Sequence, residues 1–184
     1  MLRLYRQTVE DFTLYAGLEL DEARMERLRC AAGEMSAKMR AVRIVSASTV
    51  TAKDLEQRLT RKGENPEQAK QAVAWMREMD LVDDRQAAEQ IVRRCAAKGY
   101  GIARARQMLY EKRVPKALWE EALANYPDQT EVIAHFLRSR LGSSWTPQEL
   151  RKATDALLRK GHSYSEIRQA LRELSESADD FLEE

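Results

Sequence analysis

The chain holds little that bends or breaks a helix: 7 glycines and 4 prolines in 184 residues. That scarcity argues against an all-β sandwich or barrel, which needs turn residues at short intervals, and a charged fraction of 33% favours long helices instead. Cysteine occurs twice, at Cys30 and Cys95, without the paired spacing of a zinc site or redox motif. The expectation is therefore a buried, reduced thiol in an intracellular protein. Histidine also occurs twice, and neither His135 nor His162 has the sequence neighbours of a nucleophilic triad or metal centre. No catalytic centre, metal or cofactor is expected. No apolar run reaches membrane-spanning length and no signal-peptide pattern opens the chain, so a cytoplasmic protein without membrane contact is expected. Net charge is only +1, so any attraction to a polyanion must come from local clustering.

Such a cluster stands in the middle, where residues 81–114 read LVDDRQAAEQIVRRCAAKGYGIARARQMLYEKRV. Ala88, Ile91, Val92 and Cys95, then Ile102, Ala105 and Leu109, recur at helical spacing and predict two amphipathic helices broken at Lys98-Gly99-Tyr100-Gly101. The remaining faces carry Arg93, Arg94, Lys98, Arg104, Arg106, Lys112 and Arg113 around Tyr100 and Tyr110. A basic face holding aromatics suits a polyanion or an acidic protein groove, although most charge runs are only solvated helix faces. The tyrosines are the better base-stacking candidates, whereas Trp75 and Trp119 lie on apolar stripes and read as core anchors. Trp145, just before a helix start, reads as a half-exposed staple or contact residue.

The flanking chain repeats one pattern. Leu2, Leu4, Phe12 and Leu14 alternate as in short strands and predict an irregular or strand-like N-terminal arm over residues 1–20. From Asp21, Met25, Leu28, Ala32, Met35, Met39 and Val42 step by three or four, and the helix should end near Ala47 or Ser48. Thr51 then opens a helix with Asp54 three residues on, and Asn65-Pro66 starts another. Lys62, Lys112 and Lys160 mark the close of three equivalent helices. Leu59, Leu109 or Leu157 stands three residues before each, and Ala72-Val73, Ala122-Leu123 or Ala170-Leu171 ten and eleven after. Gly63 and Gly161 follow the first and third lysines, and Arg113 the second. Further starts are marked by Pro115, by Thr146-Pro147-Gln148-Glu149 and by Ser163-Tyr164-Ser165-Glu166. The predicted fold is all-α: tandem three-helix repeats in three copies (residues 21–80, 81–126 and 127–176) in a curved, elongated array, with an acidic tail over 177–184.

Three blocks now carry a resemblance. Thr51-x-x-Asp54-Leu55-x3-Leu59-x2-Lys62-Gly63, Leu81-Val82-Asp83-Asp84-x3-Ala88 and Lys98-Gly99-x-Gly101…Leu109-x2-Lys112-x-Val114 together resemble the RecX family, the bacterial regulators of the RecA recombinase, over about residues 34–175. The family usually has Gly-aromatic where Asp80-Leu81 stands, Phe at Ala87 and glycine at Arg113. The resemblance implies a non-enzymatic regulator of homologous recombination and DNA repair. Such a protein lies along the RecA–single-stranded DNA filament and lowers its extension, ATP hydrolysis and strand exchange. The implied partner is the RecA filament, with single-stranded DNA reached directly or through it, and a monomer is expected. The basic candidates for that contact are the residues of the central cluster, joined by Arg61, Lys62, Arg159 and Lys160 at the equivalent helix ends.

Other candidates have plainer readings. Asp83-Asp84 could be a paired-carboxylate site, but it stands just before a helix that should begin near Arg85 and reads as a cap, as do Thr51, Thr146 and Ser163. Gly99-Tyr100-Gly101 follows a helix and lacks the lysine of a phosphate loop, so it reads as a break. The last twelve residues carry six acids and no base; the helix should fray beyond Ser175, leaving a solvated tail or an intramolecular competitor for the basic face. The alternative function is a free-standing helical nucleic-acid binder using the basic face of the second repeat. No helix shows the Asn, Gln and Arg pattern of base readout.

Overall fold

Side-chain caps set where most helices begin. In a computed structural model of the chain, Asp21 Oδ1 accepts from the Arg24 N–H at 2.6 Å and starts α2 (Glu22–Ala47). Thr51 Oγ accepts from the Asp54 N–H at 3.2 Å and starts α3 (Ala52–Arg61). Asn65 accepts from the Glu67 N–H, with Pro66 as the first residue of α4 (Pro66–Glu78). A reciprocal capping box between Thr146 and Glu149 opens α9 (Pro147–Arg159), and Ser163 with Glu166 repeats it before α10 (Tyr164–Asp180). Between these stand α5 (Asp84–Ala97), α6 (Ile102–Glu111), a 3-10 turn (Lys116–Leu118) that runs into α7 (Trp119–Leu123), and α8 (Thr130–Leu141). The structure describes the backbone of residues 3–141 and 145–180 and side chains to residue 174, the last apart from residues 142–144. Among the described residues there is no strand, so the fold is all-α.

The chain divides into two compact units, residues 1–87 and 88–184. In the first, α2, α3 and α4 enclose a core of Leu55, Leu59, Met76, Val50, Val73 and Val82. Of the stripe expected on α2, Leu28 and Ala32 are buried, but the buried face then passes to Ala37 and Ala41, and Met25, Met35 and Met39 are only half-buried. The reason is steric. Ala37 and Ala41 meet an α4 that itself offers Ala69 and Ala72, and methyl-sized residues let two helices approach closely.

The second unit holds two clusters. Ala88, Ile91, Val92, Cys95, Ala105, Leu109, Val114 and Leu123 gather on α5, α6 and α7, and Ile133, Leu137, Leu141, Leu157, Ile167 and Ala170 on α8, α9 and α10. Leu59, Leu109 and Leu157 are each at most 1% exposed, and burial of a leucine stabilises by about 1.5–3 kcal/mol. Lys62, Lys112 and Lys160 are the C-cap residues of α3, α6 and α9, where a cation meets the negative helix end.

The two clusters of this unit join through backbone. The Gly101 N–H donates to the Lys160 carbonyl at 3.0 Å and the Ala103 N–H to Gly161 O at 3.3 Å. A Cβ at Gly101 would stand 2.0 Å from the Gly161 carbonyl oxygen, so only glycine admits this approach. His162, 3% exposed, donates from Nε2 to Gly99 O at 3.1 Å, which leaves Nδ1 buried and without a partner among the described residues.

Three expectations are corrected. The N-terminal arm is not strand-like, because residues Arg6–Asp11 form a short helix, α1, held by Arg6–Glu10 and Gln7–Asp11 pairs one turn apart. Helix α10 continues past Ser175: its backbone is helical to Asp180, with no glycine or proline to stop it. The rest of the acidic tail, 181–184, lies outside the described residues. Cys30 is exposed rather than buried; its thiol contacts the Glu34 carboxylate, which raises its pKa. Cys95 is buried, and burial pushes its thiol pKa up as well.

Candidate interaction surface

Helix α6 separates the basic candidates by its period. Arg106 and Tyr110 stand four residues apart and share one face of α6, while Arg113 follows the C-cap Lys112 in a left-handed turn; all three are exposed, Tyr110 at 70%. Arg106 borders a groove of about 620 Å³ with Lys116 and Trp119. Arg104 points elsewhere. It donates to Gln107 Oε1 at 2.8 Å, lies 3.8 Å from Glu111, is half-buried, and packs its Cβ where a Cβ on Gly161 would stand. The turn of the third repeat thus packs on the backbone and Cβ of Arg104 and leaves its side chain partly exposed.

On α5, Arg93 and Arg94 are exposed, as is Lys98 just after it, and Arg93 meets Glu89 at 3.4 Å. The tyrosines part company. Tyr100 is half-buried against the second core and its carbonyl accepts from the Tyr126 hydroxyl at 2.6 Å. Burial pushes that Tyr126 hydroxyl up to about 12. Tyr100 is thus an anchor, and Tyr110 alone of the pair offers an open ring. Lys112 is half-buried.

At the equivalent helix ends, Arg61 and Lys62 are exposed, Arg61 reaching Gln57 at 3.5 Å. Arg159 is exposed, while Lys160 lies over the Phe136 ring, 4.8 Å from its centroid. Trp75 and Trp119 each pack against a core; Lys38 covers the Trp75 ring and the Trp119 Nε1–H donates to the Val114 carbonyl. Trp145 is 43% exposed.

Asp83 and Asp84 do different work. Asp83 Oδ1 accepts from the N–H groups of Arg85 and Gln86, which caps α5. Asp84 is the first residue of that helix, and its carboxylate reaches away from it: Oδ1 accepts from the Ala52 N–H at 2.7 Å and Oδ2 pairs with Arg77 at 2.8 Å. It therefore satisfies the start of α3 and ties in α4, rather than capping its own helix. Sequence spacing could not show this, because the partners lie 32 and 7 residues away. Among the described residues no group of three or more His, Cys, Asp or Glu could hold a metal ion, and no helix is long and apolar enough to cross a membrane.

The domain built from α5, α6 and α7 coincides with a known one. The family model described as "RecX, second three-helix domain" matches residues 83–123. The regulatory protein RecX of Stenotrophomonas maltophilia is 34% identical over 143 residues, covering 76% of this chain and 87% of that protein. The chain belongs to the RecX family. The regulatory protein RecX of Vibrio parahaemolyticus, 28% identical over 140 residues, covers 74% of this chain and 90% of its own length. The same fold is found in a crystal structure of regulatory protein RecX (TM-score 0.69, 22% identity, 89% of this chain and 85% of that one). It is found again in RecX from Lactobacillus salivarius (TM-score 0.67, 24% identity, 79% and 98%). The relatives of this RecX-family chain carry the name of regulatory proteins, and a regulatory role is what that kinship supports.

Proposed function

We propose that the chain regulates homologous recombination and DNA repair by binding the RecA–single-stranded DNA filament and lowering its extension, ATP hydrolysis and strand exchange. It acts by contact, without catalysis, as a cytoplasmic monomer. The observation that supports this reading is the exposure of Arg106 and Tyr110 on one face of α6 and of Arg113 in the turn after it, on the domain that matches the family, with Arg93, Arg94 and Lys98 exposed on and just after the helix before it. Arginines beside an open aromatic ring suit an acidic protein groove or a phosphate row, and a repeat array adds weak contacts into avidity.

The test is the DNA-dependent ATPase of RecA with the protein at amounts well below one per protomer. Arg106→Glu with Arg113→Glu should weaken inhibition by about tenfold or more, since two contacts change sign. Undiminished inhibition by this variant at physiological salt would remove the α6 face from the contact surface.

A further inference from the structure

In the first unit, α2 and α3 leave a groove that carries charge instead of closing with apolar contact. Ser36, Arg40, Arg43, Ile44 and Ala47 share one face of α2, and Arg58 and Lys62, four residues apart on α3, line the same cavity. Arg3 and Tyr5 come from the arm, and the volume is about 550 Å³.

Two of the five cations are held in place. Arg40 pairs with Glu64, whose buried side chain also accepts from Ser36 Oγ at 3.1 Å. Arg58 pairs with Asp54 at 2.8 Å and donates to Ser48 Oγ at 3.3 Å. Arg3, Arg43 and Lys62 meet no carboxylate among the described residues. Like charges gathered in this way repel until an anion arrives, and guanidiniums already oriented lose little freedom when it does.

We propose that this groove binds one nucleotide unit of a single-stranded nucleic acid. The phosphodiester lies against Arg40, Arg43, Arg58 and Lys62, and the sugar and base lie along Ile44, Ala47 and the Tyr5 ring. A carboxylate side chain would leave most of the volume and the whole apolar face unused. A cationic groove recurs at the same interval of the third repeat. There α8 and α9 enclose about 410 Å³ beside Phe136, Arg140, Lys152 and Arg159, with an aromatic ring again among the cations, and with the Glu149 carboxylate, already engaged by Thr146, on the rim. Base stacking on a ring and backbone capture by arginine are the general means of holding single strands. The proposal does not depend on the recombinase reading, because protein and DNA alone test it.

The experiment is fluorescence anisotropy of a labelled oligo-dT with the full chain across a salt series. Arg43→Glu with Lys62→Glu should bind about tenfold more weakly at ~50 mM salt, with a log–log salt slope shallower by about 1. Tyr5→Ala should weaken binding about threefold or more and leave the slope unchanged, because it removes a stacking face and no charge. Arg43→Gln with Lys62→Gln keeps the test alive should the reversals disturb folding by circular dichroism, and it too should weaken binding. Full-strength binding by the glutamine pair overturns the proposal. So does displacement of the oligonucleotide by polyglutamate at equal charge, which assigns the groove to an acidic protein. Thymidine monophosphate that competes no better than inorganic phosphate, with oligo-dT bound no more tightly than either, also overturns it and leaves a free-phosphate site.

Discussion

Asp80 and Arg113 hold the backbone at φ +54° and +57°, a region where a side chain collides with its own carbonyl. Both stand where RecX-family members usually have glycine. Gly63 and Gly161, at the positions equivalent to Arg113, hold +90° and +91°, so the repeat demands this turn whatever residue fills it. Arg113→Gly should therefore stabilise the chain by about 1 kcal/mol in urea unfolding, while losing a cation from the turn after α6. The lysine register made this position legible in the sequence. His162 was not legible in that way, because its partner Gly99 lies 63 residues away. Burial depresses its pKa below 6.5, against the opposing pull of the Gly99 carbonyl and Glu166, with Lys160 nearby acting in the same sense as burial. The unfolded chain therefore takes up this proton first as pH falls. Stability is full above the unfolded value of about 6.5 and declines through the window below it. Urea midpoints at about pH 5.5 and 7.5 should show the loss in the parent and a smaller one in His162→Gln.

At the scale of the element, Gly161 and Gly63 offer a controlled comparison. Each needs a left-handed backbone, but a Cβ at Gly63 meets nothing within 4 Å, whereas at Gly161 it would stand 2.4 Å from the Arg104 nitrogen. Gly63→Ala should cost about 1 kcal/mol, from strain alone. Gly161→Ala should cost about 2–4 kcal/mol, because overpacking adds to strain where two repeats touch. Equal costs in thermal unfolding would mean that the junction yields. Leu109→Ala, at the centre of the second core, should cost about 2–5 kcal/mol and lose ATPase inhibition only as it unfolds. The Arg106/Arg113 reversal should lose inhibition while still folded. Helix starts and stops were readable here because caps and C-cap lysines act over three or four residues. The turn of the α2 core face to Ala37 and Ala41 was not readable. Hydrophobicity favours methionine over alanine, and only the facing Ala69 and Ala72 make the small residue the better fit.

Two compact units and three separate apolar clusters give the whole molecule a local response to damage. Leu59→Ala should speed hydrogen exchange through α2, α3 and α4 and leave the amides of α9 and α10 far less affected, as mass spectrometry can resolve. The acidic residues after Ser177 act, if at all, through charge. Deleting residues 177–184 should then tighten oligo-dT binding at low salt, with the gain fading as salt rises, since exposed charges are screened within about 10 Å at 0.1 M. Affinity unchanged across the series would leave the segment without a shielding role. Composition and period were enough to show an all-helical repeat. The groove of α2 and α3 escaped notice because Arg3, Arg40, Arg43 and Arg58 come from three stretches that read separately as solvated charge.

The bond from the Gly101 N–H to the Lys160 carbonyl also bears on how the chain is born. A ribosome delivers the acceptor about 60 residues after the donor, which is several seconds of translation at ~5–20 residues per second. Until then the first turn of α6 has water where its neighbour will be, and the seat for the buried imidazole stands open. The nascent second domain therefore waits, with the helix that bears Arg106 and Tyr110 still fraying at its start, for a turn not yet made.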